Sequence, residues 1–135
     1  MKDDCIFCKL ANGVFPTNTV YEDEDFRAIL DMGPATEGHA LVLPKEHADN
    51  LLELSDETAA KALIVARTVA EKLKSKLGAD GINIVQNNGA VAGQTVMHFH
   101  IHVIPRYEND GQEINWKPGS PSAEELKALC DKINA

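Results

Sequence analysis

Three histidines stand at every second position in the segment from Gln94 to Tyr107, at His98, His100 and His102. The residues between them are aromatic or β-branched, and this alternation predicts a β-strand that turns the three imidazoles to one face. A strand packed on both faces would carry apolar residues in both sets, so the pattern indicates a functional site. Three imidazoles can hold a metal ion with an open position, or one can act as a nucleophile that its neighbours orient and stabilise.

The spacing of these histidines bears on the choice between the two chemistries. Side chains on one face of a strand lie about 6.6 to 7 Å apart, so three of them span roughly 13 Å. Zinc–nitrogen bonds are only about 2 Å long. The geometry therefore disfavours a single ion bound by all three histidines.

A second candidate site is the Cys5-x-x-Cys8 pair near the start of the chain. Such a pair can be a redox couple, two buried free thiols or half of a zinc site. A redox pair usually follows a strand and begins a helix, whereas this pair lies at the extreme N-terminus, and that position favours metal. Two further ligands are then required.

The sequence HFHIHVI at 98–104 resembles the signature of the histidine triad (HIT) family of nucleotide hydrolases and transferases. Two upstream parts match as well: EGHALVLPKEH at 37–47, and the NNG and GQT pieces within 87–95, which have the spacing of the Hint-like branch. The resemblance runs from about Cys5 to Arg106. It implies a HIT-like α+β fold over most of the chain.

The resemblance implies a reaction at the α-phosphate of a nucleotide. His100 would be the nucleophile, because neutral imidazole attacks phosphorus near pH 7 without first losing a proton. His102 would lie beside the phosphate oxygens, and His98 and His39 would complete the polar site. A nucleotidyl-histidine intermediate would form and then release nucleoside monophosphate, with no catalytic metal.

The resemblance also assigns residues to the nucleotide. Asp31 would accept hydrogen bonds from the ribose hydroxyls, which suits a carboxylate. The other contacts form a phosphate-binding loop and apolar walls around the base; they are Asn87, Gly93, Gln94 and Thr95 in the loop and Ile6, Phe7, Ile29 and Met32 in the walls. Thr95 stands where many Hint-like proteins have serine, so a hydroxyl is kept at that position.

For the metal, the resemblance completes the pair of Cys5 and Cys8 with His47 and His98. A closed set of two cysteines and two histidines would hold one structural zinc ion and fix the N-terminus against the histidine strand. His98 would then act by anchoring that strand rather than by touching substrate.

The local patterns predict about five strands, one long helix and short terminal helices, and the resemblance implies that they form an α+β protein with a mainly antiparallel sheet. Apart from the histidine strand, the predicted segments are a helix at 6–12, strands at 19–22, 26–31, 39–44 and 81–86, a helix at 55–77 and a short C-terminal helix. We expect one domain over 1–135, of which 107–135 is a variable tail. A capping box from Ser122 to Glu125 begins the last helix.

The long helix has Ser55 as its predicted N-cap and Gly78 just beyond its end. One face of it is apolar and should pack on the sheet or on a second copy of the helix. The residues of this stripe are Ala59, Ala62, Leu63, Ala66, Val69, Ala70, Leu73 and Leu77.

Composition excludes several classes of protein. A hydrophobic fraction of 44% and a charged fraction of 25% are those of an ordinary soluble protein, and no apolar run is long enough to span a membrane. The net charge of −8 disfavours a broad phosphate-backbone footprint, so we expect no nucleic-acid partner. The first residues lack the features of a signal peptide, and three cysteines are an odd number, so we expect a cytoplasmic protein.

The resemblance implies a purine nucleoside phosphoramidase of HIT type that forms a homodimer, with dinucleoside polyphosphates as the next most favoured substrates. The alternative is a nucleotide-binding regulatory or scaffold protein with little turnover. Intact catalytic residues are compatible with either function.

Overall fold

The computed structural model describes all residues, 1–135, and contains one five-stranded antiparallel sheet with a helix against each face. The strands are β1 (Thr19–Glu22), β2 (Phe26–Leu30), β3 (Ala40–Pro44), β4 (Gly81–Val85) and β5 (Ile101–Arg106), and the helices are α1 (Ile6–Ala11), α2 (Asp56–Leu77) and α3 (Ala123–Ile133). The strand order is β1-β2-β3-β5-β4. This arrangement confirms the predicted fold class, and the predicted bounds of α1, α2 and β1 to β4 agree with it to within one residue.

The residues of the histidine segment turn alternately to the two faces of the sheet, as predicted. Phe99, Ile101 and Val103 join the main core, which lies between the sheet and α2. The histidines turn to the opposite face, where the ring of His100 contacts Phe7 of α1. The alternating pattern therefore divides this segment into a structural half and a polar half.

Regular strand pairing begins only at Ile101, so the prediction that all three histidines lie within the strand is wrong for His98 and His100. The chain bends after β3, and Phe99 N–H donates to the carbonyl oxygen of Ala48 at 2.7 Å instead of pairing with β3. The two histidines still keep their alternate orientation. They precede the strand in an extended segment that their own contacts hold in place.

Helix α2 forms where its caps and apolar spacing predict it. The Ser55 hydroxyl accepts the N–H of Thr58, and Gly78 ends the helix with a φ of 69°, which glycine adopts without strain. The predicted stripe is wrong at Leu63 and Leu77, which are 63% and 40% exposed, and the helix buries Val65, which the stripe left out. The buried face thus lies slightly to one side of the predicted stripe.

The last part of the chain lies outside the core. Helix α3 begins with the predicted capping box, in which Ser122 and Glu125 each bond the other's backbone N–H. All of its residues are exposed, including those of its apolar face. None of the helices has both the length and the hydropathy needed to cross a bilayer.

Candidate active site and metal centre

A cavity of about 350 Å³ opens on the histidine face of the sheet, between α1 and the ends of β2 and β5. Seven of the predicted site residues line it: Phe7, Ile29, Asp31, Met32, Thr95, His100 and His102. Its polar groups and its apolar walls are therefore on one surface, as recognition of a nucleotide requires. Sequence analysis missed other lining residues, among them Leu10 and Leu41, which read as ordinary core.

The backbone fixes the proton of His100 on one ring nitrogen. His100 Nδ1 lies 2.7 Å from the carbonyl oxygen of His98, and because a carbonyl only accepts, Nδ1 carries the hydrogen. The Nε2 atom therefore keeps its lone pair. Burial lowers the pKa of His100, and Phe7 packs edge-on against the ring at 4.9 Å, so a neutral imidazole is held in one orientation.

A second chain of hydrogen bonds fixes His39 and His102. The backbone N–H of Ala35 donates to His39 Nδ1 at 2.9 Å, so the neutral ring carries its hydrogen on Nε2. His39 Nε2 lies 2.9 Å from His102 Nδ1, which must then accept, and the hydrogen of His102 lies on Nε2. Burial lowers the pKa of His102 to about 4, so this ring is a neutral N–H donor.

Asp31 lies beside this pair and lines the cavity. Its Oδ2 is 3.5 Å from His39 Nε2, and its Oδ1 accepts the N–H of Gly33 at 2.9 Å. We call Asp31, His39 and His102 the acid–histidine network. The carboxylate is only partly exposed, and its remaining lone pairs can accept from a ligand.

The loop at 87–97 is shaped largely by one buried amide. Gln94 Oε1 accepts the N–H of Gly89, its Nε2 donates to the carbonyls of Asp49 and Val96, and its own N–H bonds the carbonyl of Gly89. No donor of Gln94 is free in this geometry. Its predicted contact with a phosphate stays a prediction that these bonds do not favour.

The same loop has two unpaired backbone donors at residues that line the cavity. The backbone N–H groups of Thr95 and Val96 make no hydrogen bond within the chain, and both residues line the cavity. Gly93 has a φ of 100°, and a Cβ at this position would lie 3.3 Å from Asn87 Nδ2. Glycine therefore allows the tight turn that precedes the two amides, and Asn87 packs against it.

The four predicted metal ligands, Cys5, Cys8, His47 and His98, come together on the same face, with all their ligand atoms within 4.8 Å of one another. The Sγ of Cys8 lies 3.3 Å from His47 Nδ1 and 3.4 Å from His98 Nδ1, and Cys5 Sγ lies 3.3 Å from His98 Nδ1. In a tetrahedral zinc site the bond lengths give a sulfur–nitrogen separation of about 3.6 Å. We call this group the cysteine–histidine centre, and its atoms fit zinc.

Both histidines of this centre have their outer nitrogens bonded to acceptors. His98 Nε2 lies 2.9 Å from the carbonyl oxygen of Pro44, and His47 Nε2 lies 2.8 Å from Asp49 Oδ1. These bonds place the hydrogens on Nε2 and leave the Nδ1 lone pairs facing the sulfurs, as metal ligation requires. Sequence analysis missed Asp49, although its place two residues after His47 is a signal for such a partner.

Ile6 is the predicted nucleotide-binding residue whose position differs most from the others. It is 47% exposed and lines a neighbouring cavity, whereas Phe7, the next residue of α1, lines the one with His100. Successive helical residues point about 100° apart, so the two side chains fall on different sides of one wall. Asn87, Gly93 and Gln94 lie in the loop behind the cavity.

Comparison with known proteins agrees with this geometry. The HIT domain family matches residues 12–109. The chain is 41% identical to adenosine 5'-monophosphoramidase hnt1 of Schizosaccharomyces pombe, over 97% of this chain and 96% of that protein. A crystal structure of a HIT family protein from Bacillus subtilis superposes with a TM-score of 0.90 at 38% identity, covering 98% of this chain and 96% of that one.

A Zn-bound histidine triad family protein from Mycobacterium smegmatis is also similar, with a TM-score of 0.78 and 38% identity over 97% of this chain and 96% of that one. The chain belongs to the HIT family, and the resemblance found in its sequence is confirmed.

Proposed function

We propose that this protein is a nucleotide hydrolase or transferase that cleaves nucleoside phosphoramidates at the α-phosphate through a nucleotide bound covalently to His100. The observation that carries the proposal is the state of that ring: Nδ1–H is bonded to the His98 carbonyl, so the Nε2 lone pair is available on a residue that lines the cavity. A relative at 41% identity carries the name adenosine 5'-monophosphoramidase, which supports this reaction class.

The reaction divides into two displacements at phosphorus. The lone pair of His100 Nε2 forms a P–N bond while the bond from phosphorus to the amine breaks. The departing nitrogen keeps that electron pair and takes one proton from the solvent-open cavity. Water then attacks the nucleotidyl-histidine, returns one proton and restores the Nε2 lone pair, so one water is consumed and nucleoside monophosphate is released.

Stabilisation of the transferring phosphoryl group comes from donors on residues that line the cavity. His102 offers Nε2–H, and the loop offers the unpaired N–H groups of Thr95 and Val96. Donors fixed before substrate arrives need no reorganisation as charge develops. His39 acts through His102, because its own Nε2–H determines which nitrogen of His102 carries the hydrogen.

The nucleoside part of the substrate fits the part of the same cavity that Asp31 and the apolar residues line. Asp31 is the acceptor for the ribose hydroxyls, and Phe7, Ile29 and Met32 are apolar walls for a purine base. Gly93 and Asn87 support the phosphate loop, and Gln94 holds its shape. Ile6 faces the neighbouring cavity instead.

The cysteine–histidine centre is proposed to hold one structural zinc ion through Cys5, Cys8, His47 and His98. When bound, zinc supplies four strong bonds that join the N-terminal segment to the histidine segment. His98 then serves twice in this chain: its side chain is a ligand, and its carbonyl orients His100. We further propose a cytoplasmic homodimer with one HIT domain over 1–135, whose tail at 107–135 packs against the partner.

The test is single-turnover hydrolysis of adenosine 5'-phosphoramidate by the wild type and His100→Ala, with intact-mass detection of a nucleotidyl adduct. The wild type should form the adduct and release AMP, and the folded variant should do neither. Ser75→Ala, at an exposed position of α2, is the control and should behave as wild type. Equal rates in wild type and His100→Ala would overturn the nucleophile, and tight AMP binding without turnover would favour a regulatory protein.

A further inference from the structure

A second cavity, of about 330 Å³, lies directly beside the first. The two cavities share Thr95 and Val96 as a common wall. Neither His100 nor His102 lines the second one. Its other lining residues come from the N-terminal segment, the metal centre and the end of the loop: Lys2, Asp4, Cys5, Ile6, His47 and Met97.

The surface that this second cavity offers is apolar beside the shared wall. Ile6 and Met97 are 47% and 44% exposed and both face it, and Val96 is partly buried between the two cavities. Lys2 and Asp4 lie at the outer edge, 4.0 Å apart, and both are largely exposed to solvent. Because one charge offsets the other, the cavity carries an apolar wall and little net charge.

We propose that the second cavity is the subsite for the leaving group, and that it selects amines with an uncharged apolar substituent. The inference rests on the proposed function. In an in-line displacement the leaving group departs on the side of phosphorus opposite His100 Nε2, and the donors at the α-phosphate are Thr95 and Val96. A substituent on the departing nitrogen passes these two residues and reaches the surface of Ile6 and Met97.

The same surface argues against a polyphosphate as the preferred leaving group. Several negative charges would have to be placed beside Asp4, with Lys2 as the one cation lining the cavity. Like charges repel, and a single lysine cannot pair with several phosphate charges at once. The subsite therefore separates phosphoramidates from dinucleoside polyphosphates as substrates.

The test compares two substrates, adenosine 5'-phosphoramidate and its N-butyl derivative, as a ratio of kcat/KM within each variant. Using a ratio removes effects on the nucleoside end and on the nucleophile. Ile6→Ala combined with Met97→Ala should lower the butyl preference about tenfold, the lower end of what one methylene contributes in an enclosed pocket. Met32→Ala, whose side chain lines only the first cavity, should leave the ratio unchanged.

A second readout separates the two chemical steps. The amine has left before water attacks, so the variants should slow formation of the adduct from the butyl substrate and leave its hydrolysis rate unchanged. Zinc content measured for every variant checks that Ile6→Ala has not disturbed its neighbour Cys5.

Two failures are distinguishable. Wild-type turnover with a butyl preference that the double variant does not change overturns the subsite and leaves the proposed function standing. No adduct and no AMP from either substrate overturns the proposed function and the subsite with it.

Discussion

Two groups of side chains in this structure bring potential metal ligands within 4.8 Å of one another, and they differ in which nitrogen of each histidine is free. In the cysteine–histidine centre, the Nε2 atoms of His47 and His98 are bonded to oxygen acceptors, so both Nδ1 lone pairs face the sulfurs. In the acid–histidine network, a backbone N–H already occupies His39 Nδ1, so the nitrogen facing His102 carries a hydrogen.

The difference shows that proximity of ligand types does not define a metal site. For His39 to bind an ion through Nε2, its hydrogen would have to move to Nδ1, where it would face the N–H of Ala35 with no acceptor. An unpaired buried donor costs about 1–3 kcal/mol, and here two would be created. The first group therefore suits zinc, and the second suits a neutral hydrogen-bond relay that orients His102.

The largest predicted effect separates the two groups by their zinc content. Purified wild type should contain about one zinc per chain, and Cys8→Ala about one-tenth of that or less, because three ligands with one thiolate hold zinc far more weakly than four. Cys130→Ala removes an exposed cysteine of α3 and should keep full zinc. The measurement is zinc content per chain by plasma mass spectrometry. Loss of zinc from the Cys130 variant as well would contradict the assignment of Cys8 as a ligand.

The next effect tests the relay. His39→Ala should keep its zinc and yet lower kcat about tenfold, because His102 loses the bond that fixes its ring and is then free to place its hydrogen on either nitrogen. The KM should change much less, since the substrate contacts remain. Nitrogen NMR of the wild type supplies a readout independent of activity: His102 should show hydrogen on Nε2 and His100 on Nδ1. The opposite tautomer at either ring would refute the assignment.

Sequence reasoning predicted the outlines of both groups for different reasons. The alternation of His98, His100 and His102 with apolar residues predicted by itself that the histidines and the apolar residues lie on opposite faces of the sheet. The pairing of Cys5 and Cys8 with His47 came from resemblance, because nothing local joins residues that lie about 40 positions apart. The sequence did not predict which nitrogen of each histidine carries the hydrogen, since backbone atoms fix His39, His98 and His100 and have no sequence signature.

Tertiary packing decides features that the sequence pattern leaves open. The contact of Gln94 with a phosphate stays a prediction, and the fold uses the amide of Gln94 to join two points of the loop to the carbonyl of Asp49. Leu63 looked like core, but the contact surface of the sheet selects Val65 on the same helix. Ile6 and Phe7 looked equivalent, and only the position of α1 over the sheet assigns them to different cavities.

A smaller effect comes from the carboxylates that support each group. Asp49→Asn weakens the bond to His47 Nε2 and should lower zinc affinity about tenfold, which is typical for partners of metal-binding histidines. Asp31→Asn should leave zinc affinity unchanged and raise KM instead, because it removes acceptors for the ribose. Competition with a chromogenic chelator, run beside steady-state kinetics, tests both; equal zinc loss in the two variants would erase the distinction between the groups.

The smallest effect is the dependence of activity on pH. Burial lowers the pKa of His100 below the ordinary value of 6.5, so its Nε2 stays unprotonated on mild acidification. We expect kcat/KM to hold its plateau below pH 6.5 and to fall only as the pH passes the lowered pKa. An acid limb centred at or above pH 6.5 would contradict the burial of the ring.

The free energy of unfolding should also depend on pH through His102, because burial lowers the pKa of this residue to about 4. Between that value and about 6.5 the unfolded chain binds more protons than the folded one, so the free energy of unfolding rises with pH across this window and is lost as the pH falls. His102→Asn should make the rise shallower without changing zinc content. Urea unfolding at several pH values measures the two slopes, and identical slopes would show that His102 is not buried in its neutral form.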